Sequence, residues 1–210
     1  MVRKKLSLAL LALAGLCGCQ MAMPQFGSNS KTTPPSVLLS SSGLIVTAPQ
    51  GFCIDAASLK DTPDIGFVLM ADCAALRGKK KPSDAARSVM VTAALSGPLD
   101  SPESVTSAAL DSFFATTQGR STLSRSGDPD TVSATSEILP DDILVLHARD
   151  SSPATIKGLA GDDWRAFTVI SGRLVTLTAA PFANMPAPNP SAKALVTELA
   201  RRLKVENAPQ

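Results

Sequence analysis

The stretch WRAFTVISGRLVTLTA, residues 164–179, decides the fold. Its two halves, 164–170 and 173–179, have the length and the β-branched character of strands. Between them stands Ser171-Gly172, a two-residue connection whose glycine tolerates the positive φ that tight hairpins need. The segment is therefore expected to be an antiparallel hairpin. The chain on either side then reads as the rest of a sheet and the helices that lie on it.

Upstream, ILVLHAR at 143–149 follows a turn at Pro140-Asp141-Asp142 and reads as another strand. Residues 120–139 alternate weakly and read as a strand with a loop at Gly127-Asp128-Pro129. A helix is expected before it. Ser101 can cap it, Pro102 suits its first turn and Glu103 complements its dipole, while Val105, Ala109 and Phe113 recur on one face and Gly119 lies beyond the end. SVMVTAAL at 88–95 and IGFVLMA at 65–71 read as strands, the second apolar enough to be buried on both faces. Short strands at 44–48 and 52–54 flank a turn at Pro49-Gln50-Gly51. Downstream, the proline-rich loop 181–190 ends at Ser191, which can cap a closing helix. Leu195, Leu199 and Leu203 form one stripe of it, with Lys193, Arg201, Arg202 and Lys204 around it.

These elements predict an α+β domain, a mainly antiparallel sheet with two principal helices, one of which closes the C-terminus. The element order and the terminal GRLVTLTAAPF segment with its loop and helix resemble the PsbP-like and DcrB-like α/β/α sandwich. That resemblance implies a layering and no activity, because one fold hosts many unrelated functions.

The N-terminus places the protein. Arg3, Lys4 and Lys5 precede an apolar run at 6–16 broken only by Ser7. Eleven helical residues span about 16 Å, against roughly 30 Å for the hydrocarbon core of a bilayer. The run is too short to anchor the chain comfortably, and charge, apolar core and small residues are the parts of an export signal. Leu16-Cys17-Gly18-Cys19 resembles the lipobox of bacterial lipoproteins, with Leu16 three positions and Gly18 one position before Cys19. Cys17 fits worse, with bulky Leu16 directly before it. The resemblance implies a signal peptide over 1–18, cleavage before Cys19 and diacylglycerol on its sulfur; an ordinary secretory signal is the alternative. Each buried methylene contributes about 0.8 kcal/mol, so two or three acyl chains, palmitate among them, hold a soluble domain at a membrane. Gln20 after the lipidated residue implies transfer to the cell outer membrane, facing the periplasm, with the inner membrane as the other possibility. From 20 to 43 the chain is rich in Ser, Thr, Pro, Gly and Asn and reads as a flexible tether, so the lipidated N-terminus and tether cover 19–43. A single globular domain is expected over 44–206, with a disordered tail at 207–210.

Charge excludes one class of partner. Without Arg3, Lys4 and Lys5, 17 of the 20 basic residues stand against 18 acidic ones, a formal charge of −1, and no long basic stripe points to nucleic acid. Lys79-Lys80-Lys81 reads as a solvated loop between strands. Of the four cysteines, Cys17 and Cys19 belong to the signal region, leaving Cys53 and Cys73 in an oxidising compartment, where they should pair. A loop of this length closed by a disulfide is stabilised by about 3 kcal/mol on the chain-entropy account. If the strand at 44–48 lay beside the one at 65–71, the link would join adjacent strand ends. No helix N-terminus is expected beside either thiol.

Little catalytic chemistry is announced. His147 is the only histidine and stands in an apolar strand, where a half-buried histidine with a structural hydrogen bond is expected. Trp164, the only tryptophan in a chain without tyrosine, reads as a core or edge packing residue. Asp141-Asp142 and Asp162-Asp163 read as hairpin ends, since they lack calcium-loop spacing. Neither a metal nor another cofactor is expected. The sequence thus points to a non-catalytic envelope lipoprotein that binds a protein or small ligand, or supports envelope assembly through the 181–190 loop and the closing helix. The alternative is an envelope hydrolase using His147 with an aspartate, which requires His147 exposed in a concavity with a carboxylate within hydrogen-bond reach.

Overall fold

The computed structural model describes residues 33–78, 88–153, 156–185, 187–188 and 190–209. Residues 1–18, read as a signal, Cys19, most of the stretch read as a tether and the Lys79-Lys80-Lys81 cluster lie outside these residues.

The hairpin at the centre forms as its sequence dictates. Strands β9 (Asp162–Ile170) and β10 (Arg173–Pro181) pair antiparallel with Ile170 opposite Arg173. Ser171 and Gly172 take φ of 49° and 71°, the left-handed pair that matches a two-residue turn to the twist of its strands. Around it the remaining strands are β1 (Ser36–Leu39), β2 (Leu44–Thr47), β3 (Phe52–Ile54), β4 (Lys60–Asp61), β5 (Gly66–Asp72), β6 (Val89–Leu95), β7 (Val132–Leu139) and β8 (Ile143–Asp150). The helices are α1 (Cys73–Leu76), α2 (Ser107–Ala115), α3 (Thr117–Leu123) and α4 (Ala192–Glu206). Eight strands make one antiparallel sheet in the order β3-β5-β6-β10-β9-β8-β7, with β4 also paired to β5, while β1 and β2 form a separate hairpin.

Side chains alternate across this sheet, and each face has its own cover. Val68, Met70, Val91, Ala93, Leu177, Ala166 and Val145 point to one side. They are buried with Leu195, Val196, Leu199, Ala200 and Leu203 of α4 and with Leu39, Leu44 and Val46 of the β1–β2 hairpin. Leu144, Leu146, Ala148 and Phe167 point to the other side and are buried with Phe114 of α2 and Leu123 of α3. Helices therefore lie on both faces, and the domain is an α+β protein layered as an α/β/α sandwich. Ser191 caps α4 as expected, accepting from the Ala194 amide.

Several local expectations change. β1 lies within the stretch read as tether, because Leu39 is wholly buried in the core and draws its strand into the fold. The strand at 65–71 is buried fully on one face only; Phe67, Leu69 and Ala71 alternate as half-buried residues. The neighbour of β5 is β3, not β2, so the Cys53–Cys73 disulfide joins β3 to the residue following β5. Cys73 also opens α1, a helix start that the sequence reading lacked, with Asp72 accepting from the Ala74 and Ala75 amides. Glu103 stands in a 3-10 turn, and Ser101 makes no side-chain cap; Thr106 caps α2 instead, accepting from Ala109.

The expected single helix over the hundreds is in fact broken at Thr116. This residue sits in extended conformation at ψ 162°, ends α2 and caps α3 by accepting from the Gly119 amide. Gly119 lies inside α3, where a Cβ would run into the backbone of Phe113 and Phe114. The glycine thus licenses a close approach of the two short helices rather than marking an end. Another lock sits at the end of β8. Buried Asp150 accepts from the amides of Arg125 and Ser152, and the Arg125 guanidinium donates to its carboxylate and to two backbone carbonyls. Burial pushes the Asp150 carboxyl upward, but these amide donors outweigh it and hold it far below the usual carboxylate range.

Two outcomes follow for stability. Gly119→Ala should cost about 1–3 kcal/mol in urea unfolding, because backbone cannot move aside as a rotamer could; an unchanged midpoint would contradict the close approach. The Asp150 pKa is lower folded than unfolded, where aspartate titrates near about 3.9. Its contribution is complete above that pH and is lost as pH falls further. Asp150→Asn should therefore destabilise the domain clearly at pH 7 and progressively less below pH 4, as measured by thermal unfolding across pH.

Candidate functional site

Beyond the reach of α4 the sheet face it covers turns from apolar to polar. On β8 the side chains of Ile143, Val145, His147 and Arg149 share that face by the period of two, and the first two are buried in the core. His147 is the register partner of Trp164 on β9 and of Thr135 on β7, and Arg149 is the partner of Asp162 and of Ser133. Sequence position alone could not place these six residues together, since they come from three strands.

The histidine and the tryptophan stack. Their ring centroids are 4.4 Å apart with an interplanar angle of 7°. Trp164 packs on its other contacts against the main core, which holds the pair in place. His147 Nε2 lies 3.3 Å from the Asp162 carboxylate, and the two side chains are 16% and 44% exposed. Lys193, in the first turn of α4, stands 5.5 Å from the centre of the indole and donates to Glu137 on β7 at 2.6 Å. That geometry gives the indole a cation at its face, a contribution of about 0.5–1 kcal/mol at an exposed site.

Next to this stack the rim of the sheet holds a hollow of about 200 Å³ lined by Ser133, Ala134, Thr135, His147 and Arg149. It opens at β7, which is an edge strand. The acids beside it on this face are engaged: Asp162 with His147 and Glu137 with Lys193. Arg149 is exposed and has no ion-pair partner among the described residues.

The two candidates named from sequence, His147 and Trp164, thus form one site. Asp162 opens β9 at the end of the β8–β9 pair, as expected of a hairpin end, and also belongs to this site. Asp141 and Asp142 do form the β7–β8 turn, with φ of 67° and 55°, and Asp142 accepts from the Ser107 amide at the start of α2. Cys53 and Cys73 lie apart, at the β3 edge of the sheet. Ser133, Thr135, Arg149 and Lys193 were not singled out by sequence reasoning. The one available signal was the alternation within ILVLHAR, which puts His147 and Arg149 on one face. Among the described residues, no three His, Cys, Asp or Glu side chains are grouped to hold a metal ion.

In comparison with known proteins, no family model and no curated protein matches this chain.

A histidine beside a carboxylate can serve a nucleophile, but Asp162 is the sole hydrogen-bond partner of the His147 imidazole among the described residues. The Ser133 and Thr135 hydroxyls line the same hollow without bonding to the imidazole. What the arrangement does offer is an imidazole wall with the indole stacked on it, two hydroxyls and a guanidinium without an ion-pair partner among the described residues, around a small volume. Because the chain has one tryptophan and no tyrosine, its intrinsic emission reports this wall alone. His147→Ala should raise that emission and shift it to longer wavelength as the stacked imidazole is removed and the indole meets water. An unaltered spectrum would contradict the stack.

Proposed function

We propose that this protein is a lipid-anchored lipoprotein of the bacterial envelope whose folded domain faces the periplasm and binds a small polar ligand, without catalysis, in the hollow on β7 and β8. The His147–Trp164 stack beside that hollow carries the ligand-binding half of the reading. A stack worth about 0.5–1.5 kcal/mol is a modest gain for placing two polar-edged rings at the rim of a sheet, and such a wall beside hydroxyls is what a recognition site uses. The lipobox resemblance at Leu16-Cys17-Gly18-Cys19 carries the anchoring half. The folded chain starts by Ser36, so the stretch after Cys19 suffices to hold the domain near a membrane surface. No helix among the described residues is long and apolar enough to cross a membrane. A periplasmic setting also agrees with the disulfide. The outer membrane is the proposed address, from Gln20.

The hydrolase alternative has one observation in its favour, the 3.3 Å contact of His147 with Asp162 in a concave place. The missing contact from a hydroxyl to the imidazole favours binding over hydrolysis.

Metabolic labelling with an alkyne fatty acid tests the anchor. The wild-type protein and Cys17→Ala should take up label, whereas Cys19→Ala should lose it and keep residues 1–18. Equal labelling of the Cys19→Ala form, or none in the wild type, would sink the anchored reading. Mass spectrometry of small molecules co-purifying with the wild-type protein, and missing from Trp164→Ala, tests the hollow separately.

A further inference from the structure

We infer that the hollow is an oxyanion site, built to take a single phosphoryl or carboxylate group with Arg149 as its charge partner. This rests on reading the hollow as a ligand site and names what that ligand carries. The ledger of charges around it points one way. On the sheet face that carries it, Lys193 is answered by Glu137 and Asp162 is engaged by His147. Among the described residues Arg149 has no ion-pair partner, and it is the charged residue lining the hollow. A guanidinium presents a planar fork of donors that matches two oxygens of a carboxylate or phosphate. Ser133 stands directly across from Arg149 and Thr135 across from His147, so two hydroxyl donors flank the fork on the neighbouring strand. His147 supplies a further polar wall.

Volume narrows the class. The hollow measures about 200 Å³, below the roughly 300–1,000 Å³ of sites that enclose cofactor-sized molecules. It admits one charged head with a short stem, while its opening at the free edge of β7 leaves room for the remainder of a larger molecule outside. A free small anion and the headgroup of an anionic lipid both carry such a group. The chemistry recognised is the same.

The single tryptophan makes the test direct. The full chain labelled with 5-fluorotryptophan gives one fluorine resonance, from Trp164 beside the hollow. At constant ionic strength it would be titrated with inorganic phosphate, acetate and the soluble headgroup glycerophosphoglycerol, and with glucose and choline as neutral and cationic probes. A saturable shift with an oxyanion is expected, weakened at least tenfold in Arg149→Gln and less in Arg149→Lys, with thermal midpoints unchanged because Arg149 is exposed. A response to glycerophosphoglycerol alone assigns the lipid headgroup as the source; a response to phosphate or acetate assigns a free anion. A shift with glucose or choline alone overturns the oxyanion assignment and leaves the hollow as a ligand site. An oxyanion response equal in wild type and Arg149→Gln overturns it as well. A resonance moved by none of the probes overturns both.

Discussion

The two-residue turn at Ser171-Gly172 is the constraint from which the rest of the structure follows. Both residues adopt positive φ, and such a turn admits one register between β9 and β10. β10 then sets β6, and β9 sets β8, in the same alternation. A slip of one residue would send Val175, Leu177 and Ala179 to the opposite face and strand the apolar stripe of α4 without a partner. Register and helix packing therefore support each other, and the hairpin can impose it locally because its strands are adjacent in sequence.

The candidate site is a by-product of the same register. Along β8 the α4-facing positions run from Ile143 through Val145 to His147 and Arg149, and burial decreases along that line. α4 begins beside Trp164, where Lys193 meets the indole. The polar residues beyond it have no apolar cover and can face a ligand at no cost to the core. Neither the His147–Trp164 stack nor the His147–Asp162 contact is strong enough to organise the strands; the strands organise them. The deeper locks lie elsewhere. Asp150 and Arg125 fix the loop after α3 to the end of β8, and the disulfide ties β3 to the end of β5.

Much of this was legible in the residues themselves. Apolar runs bounded by turn residues marked β6, β8, β9 and β10, Ser191 and its leucine stripe marked α4, and setting Cys17 and Cys19 aside marked the Cys53–Cys73 pair. The misreadings share a cause. Ser101, Pro102 and Glu103 carry good helix-start signals, yet the helix starts at Ser107, because packing Phe114 and Leu123 onto the sheet requires two short helices with a break at Thr116. Residues 36–39 sit in a polar, proline-rich stretch, yet Leu39 enters the core and makes them a strand. Local composition is outweighed wherever a distant surface offers burial.

The sequence by itself determined the features whose signals are local or follow from counting: apolar runs, turn chemistry, the cap of the closing helix and the pairing of Cys53 with Cys73. Only the tertiary structure decided that β5 pairs with β3 rather than β2, that Gly119 sits at a helix contact, and that His147, Trp164, Asp162 and Arg149 share a rim with Ser133 and Thr135. The reason is physical: neighbours in sequence are tied by backbone geometry, whereas strands far apart in the chain choose partners by the apolar surface they jointly remove from water, a quantity no short window contains.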